Sequence, residues 1–332
     1  MQRVTISAFG GAENLVTETT DPPEPGPGEI LVRVAGAGLN GPDLLQRRGL
    51  YVPAPGNERR PGLEVSGVVE AIGDGTWRYS PGDRVAALVN GAGYAEYVVV
   101  PEAQALPCPA GWRLADAAAL PETFFTITQT LVRRAGLSPG MSVLVHGASG
   151  GLGATAIQVA RHFGAKAIAC VSSEEKAEYA IKLGADRLIA YKHEDFVART
   201  LELTGGVGAD RIIDIVGGAN LRRNLEAAAP GGVIVQLAFL GGAKGEIILP
   251  VLLQKGLTLI GSVLGPQPAA VKAQIARHLE ADLWPALGDG SIGPQRIRHF
   301  ALADAGAAHA AMEADDHFGK IVLVTPFGLE TE

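Results

Sequence analysis

The sequence predicts an α/β protein: a doubly wound parallel sheet joined to a β-rich barrel domain that the C-terminus completes. Three observations lead there. After Pro121, strand-like runs alternate with helical segments of about 10–12 residues, and that alternation builds βαβ units on a parallel sheet. Before Pro121, short Val- and Ile-rich runs are divided by Pro-Gly turns, the pattern of a barrel or sandwich. Near the middle, one glycine-rich segment follows a strand and opens a helix.

Composition narrows the classes. At roughly 150 residues per domain, 332 residues suggest two domains, each able to bury a full core. A net charge of −7 argues against nucleic acid or an anionic membrane as partner, since both need a basic face. Glycine (44) and proline (21) exceed average usage, but with 47% hydrophobic residues and no G-X-Y period the chain is neither disordered nor collagen-like. Two cysteines, Cys108 and Cys170, cannot build a disulfide framework or a four-thiolate zinc site; they read as small apolar fillers in a reducing compartment. The first nine residues lack the apolar stretch of a secretory signal, and no run approaches the ~20 residues of a spanning helix. A soluble cytoplasmic protein is expected.

In chain order, the β-rich part offers strands at 30–35, 63–72, 84–89 and 94–100. They are bounded by Pro-Gly-Pro-Gly at 25–28 and by turns at 61–62, 73–75 and 81–82, with a helical turn at 43–48. Beyond Pro121 come helix 123–135, strand 142–146 and helix 152–163, the last with Ile157, Ala160 and Phe163 on one face. Strand 167–171, helix 173–183, strand 187–190 and helix 194–203 continue the alternation. Strand 211–216, helix 220–228 and strands 233–237 and 257–263 complete it. The tail offers helix 268–279, a Gly-rich turn at 288–293, helix 303–313 and a last strand at 321–324. It is too short for a domain of its own, so it should return to the first. The expected domains are 1–122 with 263–332, and 123–262.

The sharpest motif is Val-Leu-Val-His-Gly-Ala-Ser-Gly-Gly-Leu-Gly at 143–153. Gly150 and Gly151 let the backbone approach a pyrophosphate, Gly153 lets the helix pack on the sheet, and the helix N-terminus favours the phosphates. Ala148 stands where the first glycine is usual. The glycines at 205–208 precede a strand instead of following one and read as a turn. An acid that bonds the ribose 2′-hydroxyl of NAD normally closes the second strand. Here Val171 and Ser172 stand there, and Ser172 with Lys176 suits a 2′-phosphate, so NADPH is favoured. Tyr191, ending the next strand, could face the adenine ribose. Two alternatives stay open: Ser173 as a helix cap with Lys176 solvated, and Glu174 or Glu175 repelling a phosphate.

Together these features resemble the medium-chain dehydrogenase/reductase superfamily, and within it the zinc-independent quinone oxidoreductases related to zeta-crystallin. The residues carrying this include Gly-Leu-Asn-Gly-Pro-Asp at 38–43, Gly-Leu-Tyr at 49–51 and Pro-Gly-Leu-Glu-Val-Ser-Gly at 61–67. Further along are Gly-Asp-Arg-Val at 82–85, Leu-Pro-Glu at 120–122, Thr126, the 146–153 loop, Leu-Gly-Ala at 183–185, Tyr-Lys-His-Glu-Asp at 191–195 and Gly319-Lys320. The resemblance spans essentially the whole chain. It implies a Rossmann cofactor domain and a GroES-like catalytic domain, with the substrate bound between the two.

Zinc-using members place a cysteine, a His-Glu pair and a further cysteine or acid around a metal. The matching positions here are Asn40, Leu63-Glu64 and Glu122, and asparagine and leucine cannot replace thiolate and imidazole. No two of the seven histidines stand at metal-ligand spacing, and His146 reads as a core histidine. No metal is expected. A carbonyl or quinone oxygen must then be polarised by hydrogen-bond donors. Asn40, Asp43 and Tyr51 are the catalytic candidates; Asn40 and Asp43, three apart, share a helical face. Asn40 or Asp43 as a helix cap, and Tyr51 as simple packing, remain alternatives. By resemblance Asn40, Thr126, Ser149, Gly150, Gly151, Leu152, Ser172, Lys176, Tyr191, Phe239, Leu240 and Leu264 hold the cofactor. The family's usual arginine after the asparagine is Gly41 here.

The implied activity is NADPH-dependent quinone reduction by hydride transfer. Alternatives are an alkenal, enone or enoyl-thioester reductase, and, outside enzymes, a nucleotide-binding redox sensor or crystallin-like protein. A homodimer is expected, through the apolar runs 247–253 and 257–263 read as lying near a sheet edge.

Overall fold

The chain opens with a hairpin that carries no strong sequence signal. Strands β1 (Gln2–Ile6) and β2 (Leu15–Thr19) pair antiparallel, Val4 and Ile6 turning inward and most of β2 staying accessible. In this computed structural model residues 1–314 and 318–331 are described, and they fall into two units. The first takes Met1–Phe125 and Leu264–Glu332, the second Thr126–Val263.

In the first unit, β3 (Glu29–Gly38) is the central strand. It pairs antiparallel with β4 (Glu64–Ile72) and also with β6 (Tyr97–Pro101), while β5 (Arg84–Leu88) and β7 (Ala105–Pro107) extend the sheet beyond β4. Helix α1 (Gly41–Arg47) leaves the end of β3, and α2 (Pro121–Ile127) closes this first stretch of chain. Alternating residues such as Val32, Val34, Val65, Val85 and Val98 fill one core, each worth roughly 1.5–3 kcal/mol when fully buried.

The second unit winds β8 (Ser142–Val145), α3 (Gly151–His162), β9 (Lys166–Val171), α4 (Glu174–Leu183), β10 (Arg187–Ala190) and α5 (Phe196–Leu203). It continues through β11 (Ala209–Asp214), α6 (Asn220–Ala227), β12 (Ala228–Gln236), α7 (Leu249–Lys255) and β13 (Thr258–Gly261). All six strands are parallel in the order β10-β9-β8-β11-β12-β13. Chain order reverses between β8 and β11, and that switch point is where open α/β sheets take ligands.

The tail adds α8 (Ala269–Asp282), α9 (Trp284–Gly288), β14 (Ile297–Ala301), α10 (Ala305–Glu313), β15 (Lys320–Val324) and α11 (Pro326–Glu330). It returns to the first unit as the sequence leads one to expect. β15 pairs antiparallel with β3, Val322 opposite Gly38, and β14 lies parallel outside it.

Two local expectations change. The apolar run 247–253, read as lying near a sheet edge, feeds a helix: Leu249–Lys255 form α7, with a proline in the first turn and Gly256 closing it in the left-handed region. Lys255 then bonds the carbonyls of Leu225, Glu226 and Ala228 at 2.7–3.1 Å, tying the helix end to α6 and β12. The single helix expected over 123–135 stops at Ile127, and Thr128–Arg134 wind on with π geometry.

Candidate functional site

In the first unit the end of β3 runs into α1 through Leu39 and Asn40. Asp43, in the first turn of α1, accepts from the Asn40 amide (2.9 Å), the Gly62 amide (3.0 Å) and the Tyr94 hydroxyl (3.1 Å). Tyr94 in turn meets His309 Nε2 at 3.2 Å. Burial pushes the Asp43 carboxyl up to about 6, against the downward pull of these donors. The side chain is fully buried, so Asp43 acts by holding Asn40 and Gly62 in place. Burial, reinforced by the Arg47 charge, lowers His309 to about 3, which keeps its ring neutral.

Beside this lies a buried ion pair. Lys320 Nζ donates to Glu64 Oε1 (2.6 Å), to Asn40 Oδ1 (2.6 Å) and to the Leu39 carbonyl (2.9 Å). Glu64 Oε1 also accepts from Asn40 Nδ2 at 2.8 Å, and Oε2 accepts from the Glu122 amide at 2.8 Å. Both ends of the Asn40 amide are thus committed, with one Nδ2 hydrogen left to a long 3.5 Å contact with the Gly38 carbonyl. The Glu122 carboxyl is raised to about 8, first by burial and then by the Glu64 charge. It is largely protonated at neutral pH.

Tyr51 follows the Gly49-Leu50 turn and is half-buried. Burial raises its pKa to about 12, helped by the charges of Glu122 and Asp43, so its hydroxyl is a neutral donor across the working pH range. Among the described residues, none hydrogen-bonds that hydroxyl. Leu264, the cofactor candidate in this unit, is buried.

In the second unit the candidates line up at the carboxyl ends of neighbouring strands. The 146–150 loop leaves β8, Ser172 leaves β9 and Tyr191 leaves β10. Gly150 starts α3 without a side-chain cap, and a Cβ there would meet nothing nearer than the Gly147 carbonyl at 3.7 Å. The space over the loop is open, as a pyrophosphate needs. Ser149 is largely buried, whereas Gly151 and Leu152 are partly accessible. Ser173 caps α4 by accepting from the Lys176 amide (3.3 Å), the capping role the sequence left open for it, and Ser172 beside it is partly accessible. Tyr191 is 49% exposed, and Phe239 and Leu240, just past β12, are 53% and 79% exposed. Thr126, near the start of this unit, is nearly buried and accepts from Thr130 through its carbonyl (2.7 Å).

Under the loop sits a polar brace that the sequence does not announce. Asp214 accepts from the amides of Val216 (2.6 Å) and Gly217 (3.0 Å) and from Asn224 Nδ2 (2.8 Å). That fixes the Asn224 amide, so its Oδ1 accepts from His146 Nε2 at 2.8 Å. His146 is buried, and burial lowers its pKa, as a core histidine requires.

Several site residues escape local reading. Glu64 and Lys320 are charges at the starts of apolar strands, which is a signal for a buried pair. Lys272 shares the buried face of α8 with Ile275, Ala276 and Leu279, again a charge at a core position.

Two family models match the chain: residues 26–110 match the alcohol dehydrogenase GroES-like domain, and residues 151–280 the zinc-binding dehydrogenase model. A quinone oxidoreductase of Pseudomonas aeruginosa is 36% identical over 97% of this chain and 99% of its own length. A 2-haloacrylate reductase of a Burkholderia species is 32% identical over 96% and 97%. The crystal structure of an Escherichia coli quinone oxidoreductase complexed with NADPH superposes with a TM-score of 0.86 at 29% identity, covering 98% of this chain and all of that one. The zinc that one of these descriptions mentions does not suit the donors here. The Lys320 ammonium already neutralises Glu64 and bonds Asn40, and no metal-binding cluster of three His, Cys, Asp or Glu forms among the described residues. His317, one of the seven histidines, lies outside the described residues.

Proposed function

The chain belongs to the medium-chain dehydrogenase/reductase superfamily, in its quinone oxidoreductase branch, and from that premise we propose that it reduces quinones with NADPH and without a metal. The observation that carries this reading is the Tyr51 hydroxyl, a neutral donor with no described protein acceptor, in the unit whose ion pair is already satisfied by Lys320. When bound, NADPH supplies the hydride; with one proton, a quinone leaves as hydroquinone.

The chain's own residues bind, orient and polarise. Ser149, Gly150, Gly151 and Leu152 would hold the pyrophosphate at the start of α3. Ser172 and Lys176 would take the adenosine 2′-phosphate, Lys176 as its counter-charge, and Tyr191 would face the adenine ribose. Thr126, Phe239 and Leu240 would form the nicotinamide surroundings. Tyr51 donates to the acceptor's oxygen as negative charge gathers there, and Asn40 offers its remaining amide hydrogen. Asp43 is a positioning residue in this scheme. Reduction of an activated alkene is the second reading, favoured by the 2-haloacrylate reductase relative.

Stopped-flow oxidation of NADPH by 1,4-benzoquinone, set beside an α,β-unsaturated ketone, tests both readings. Faster turnover of the quinone is expected. Tyr51→Phe should lower kcat/KM by about 10–100-fold, the worth of a hydrogen bond to a developing charge. An unchanged rate would remove Tyr51 from the reaction. Fluorescence titration should give NADPH the tighter binding, with Lys176→Glu abolishing the preference over NADH; equal affinities in the unaltered protein would refute the role given to Ser172 and Lys176.

A further inference from the structure

Gly265 lies in the segment that leads into α8. Its backbone is not in the left-handed region, so its conformation does not call for glycine. Space does: a Cβ built on Gly265 would stand 1.9 Å from the Tyr51 hydroxyl oxygen and 3.2 Å from the ring carbon bearing it. The hydroxyl lies against bare backbone. The carbonyl of the same glycine accepts from Lys272 Nζ at 2.8 Å, and Nζ also donates to Asn90 Oδ1 at 2.7 Å. Lys272 is only 3% exposed. Burial works against its charge, and Glu122 favours that charge once its own carboxyl ionises. A buried ammonium therefore ties two chain segments together directly behind the tyrosine's seat.

We propose that Gly265 and Lys272 are positioning residues for Tyr51: the absent side chain at 265 is the slot that seats the hydroxyl, and Lys272 braces that slot against Asn90. The inference rests on the reading of Tyr51 as donor to the acceptor's oxygen. The slot fixes where that oxygen must arrive, so it selects acceptors whose carbonyl can reach a donor that does not move. Lys272 has no bond to the hydroxyl and works through the backbone of Gly265.

A double-mutant cycle on the full-length protein tests this. Gly265→Ala and Lys272→Met should each cut kcat/KM for the quinone by at least about tenfold, leaving NADPH affinity within about twofold. In a Tyr51→Phe background the same changes should cost less than about twofold, because the hydroxyl that the slot seats is then gone. Thermal midpoints give a second readout. Gly265→Ala should lower Tm with Tyr51 present and much less in the Tyr51→Phe background, so the double variant folds even if the single one does not. Losses that add across the cycle, in rate or in Tm, would overturn the slot. A Tyr51→Phe enzyme as fast as the parent would instead overturn the donor reading, and the Tm cycle would still decide whether the slot exists.

Discussion

Lys320→Met should cost about 3–5 kcal/mol of stability, the loss typical of breaking a buried ion pair from one side. The reason lies in the partners left behind. Glu64 is fully buried and Lys320 is 3% exposed, so water cannot take over when the ammonium goes. The carboxylate would keep only the Asn40 amide and the Glu122 backbone N–H, while Asn40 Oδ1 and the Leu39 carbonyl would lose their donor. Methionine restores the apolar volume of the lysine stem and nothing else. Because the cost comes from an uncompensated charge, Glu64→Gln in the Lys320→Met background should recover more than half of it, although Glu64→Gln alone also destabilises. Urea unfolding of the four proteins measures the cycle. A loss below about 1 kcal/mol for Lys320→Met, the size of an exposed pair, would show that the centre is hydrated.

That ion pair also marks where the sequence becomes hard to read. The parallel sheet is legible because each βα unit is specified locally, by an apolar strand, a turn and an amphipathic helix. The 143–153 loop is legible for the same reason. Glu64 and Lys320 come from strands far apart in sequence, and they meet only because β15 and β4 both pair with β3. No local pattern encodes that register. The same limit hid the part played by Asp43, whose donors Gly62 and Tyr94 arrive from other segments. Short accessible strands such as β2 and β14 leave too little alternation to register. The 247–253 run shows a different limit, since its apolar residues suit a strand or a helix equally. Only Pro250, in the first turn of α7, and Gly256, at its C-cap, decide for the helix.

Gly153→Ala should abolish NADPH binding, weakening Kd at least about 100-fold, or roughly 2.7 kcal/mol. A Cβ on Gly153 would lie 2.2 Å from the Gly147 carbonyl oxygen and 2.7 Å from Ala148 Cα. Both obstacles are backbone, and neither can retreat. Gly147 accepts from the Gly150 amide at 3.1 Å, Ala148 is fully buried, and His146, just before them, is bonded to Asn224 and through it to Asp214. The first turn of α3 must move instead, and with it the amides that would face the pyrophosphate. Gly150→Ala separates this effect from the ligand's own need for space. Gly150 has φ −84° and a clear 3.7 Å to its nearest neighbour, so alanine fits the free protein and should leave stability unchanged or raise it by about 0.4–1 kcal/mol. Its methyl group would nonetheless occupy the open space over the loop, so NADPH binding should fall while Tm does not. Calorimetric titration and thermal unfolding of both variants give four outcomes to compare. Binding retained in Gly150→Ala would mean that the pyrophosphate lies elsewhere. Binding lost at undiminished Tm would mean that the loop keeps that space for the cofactor, because no protein atom competes for it.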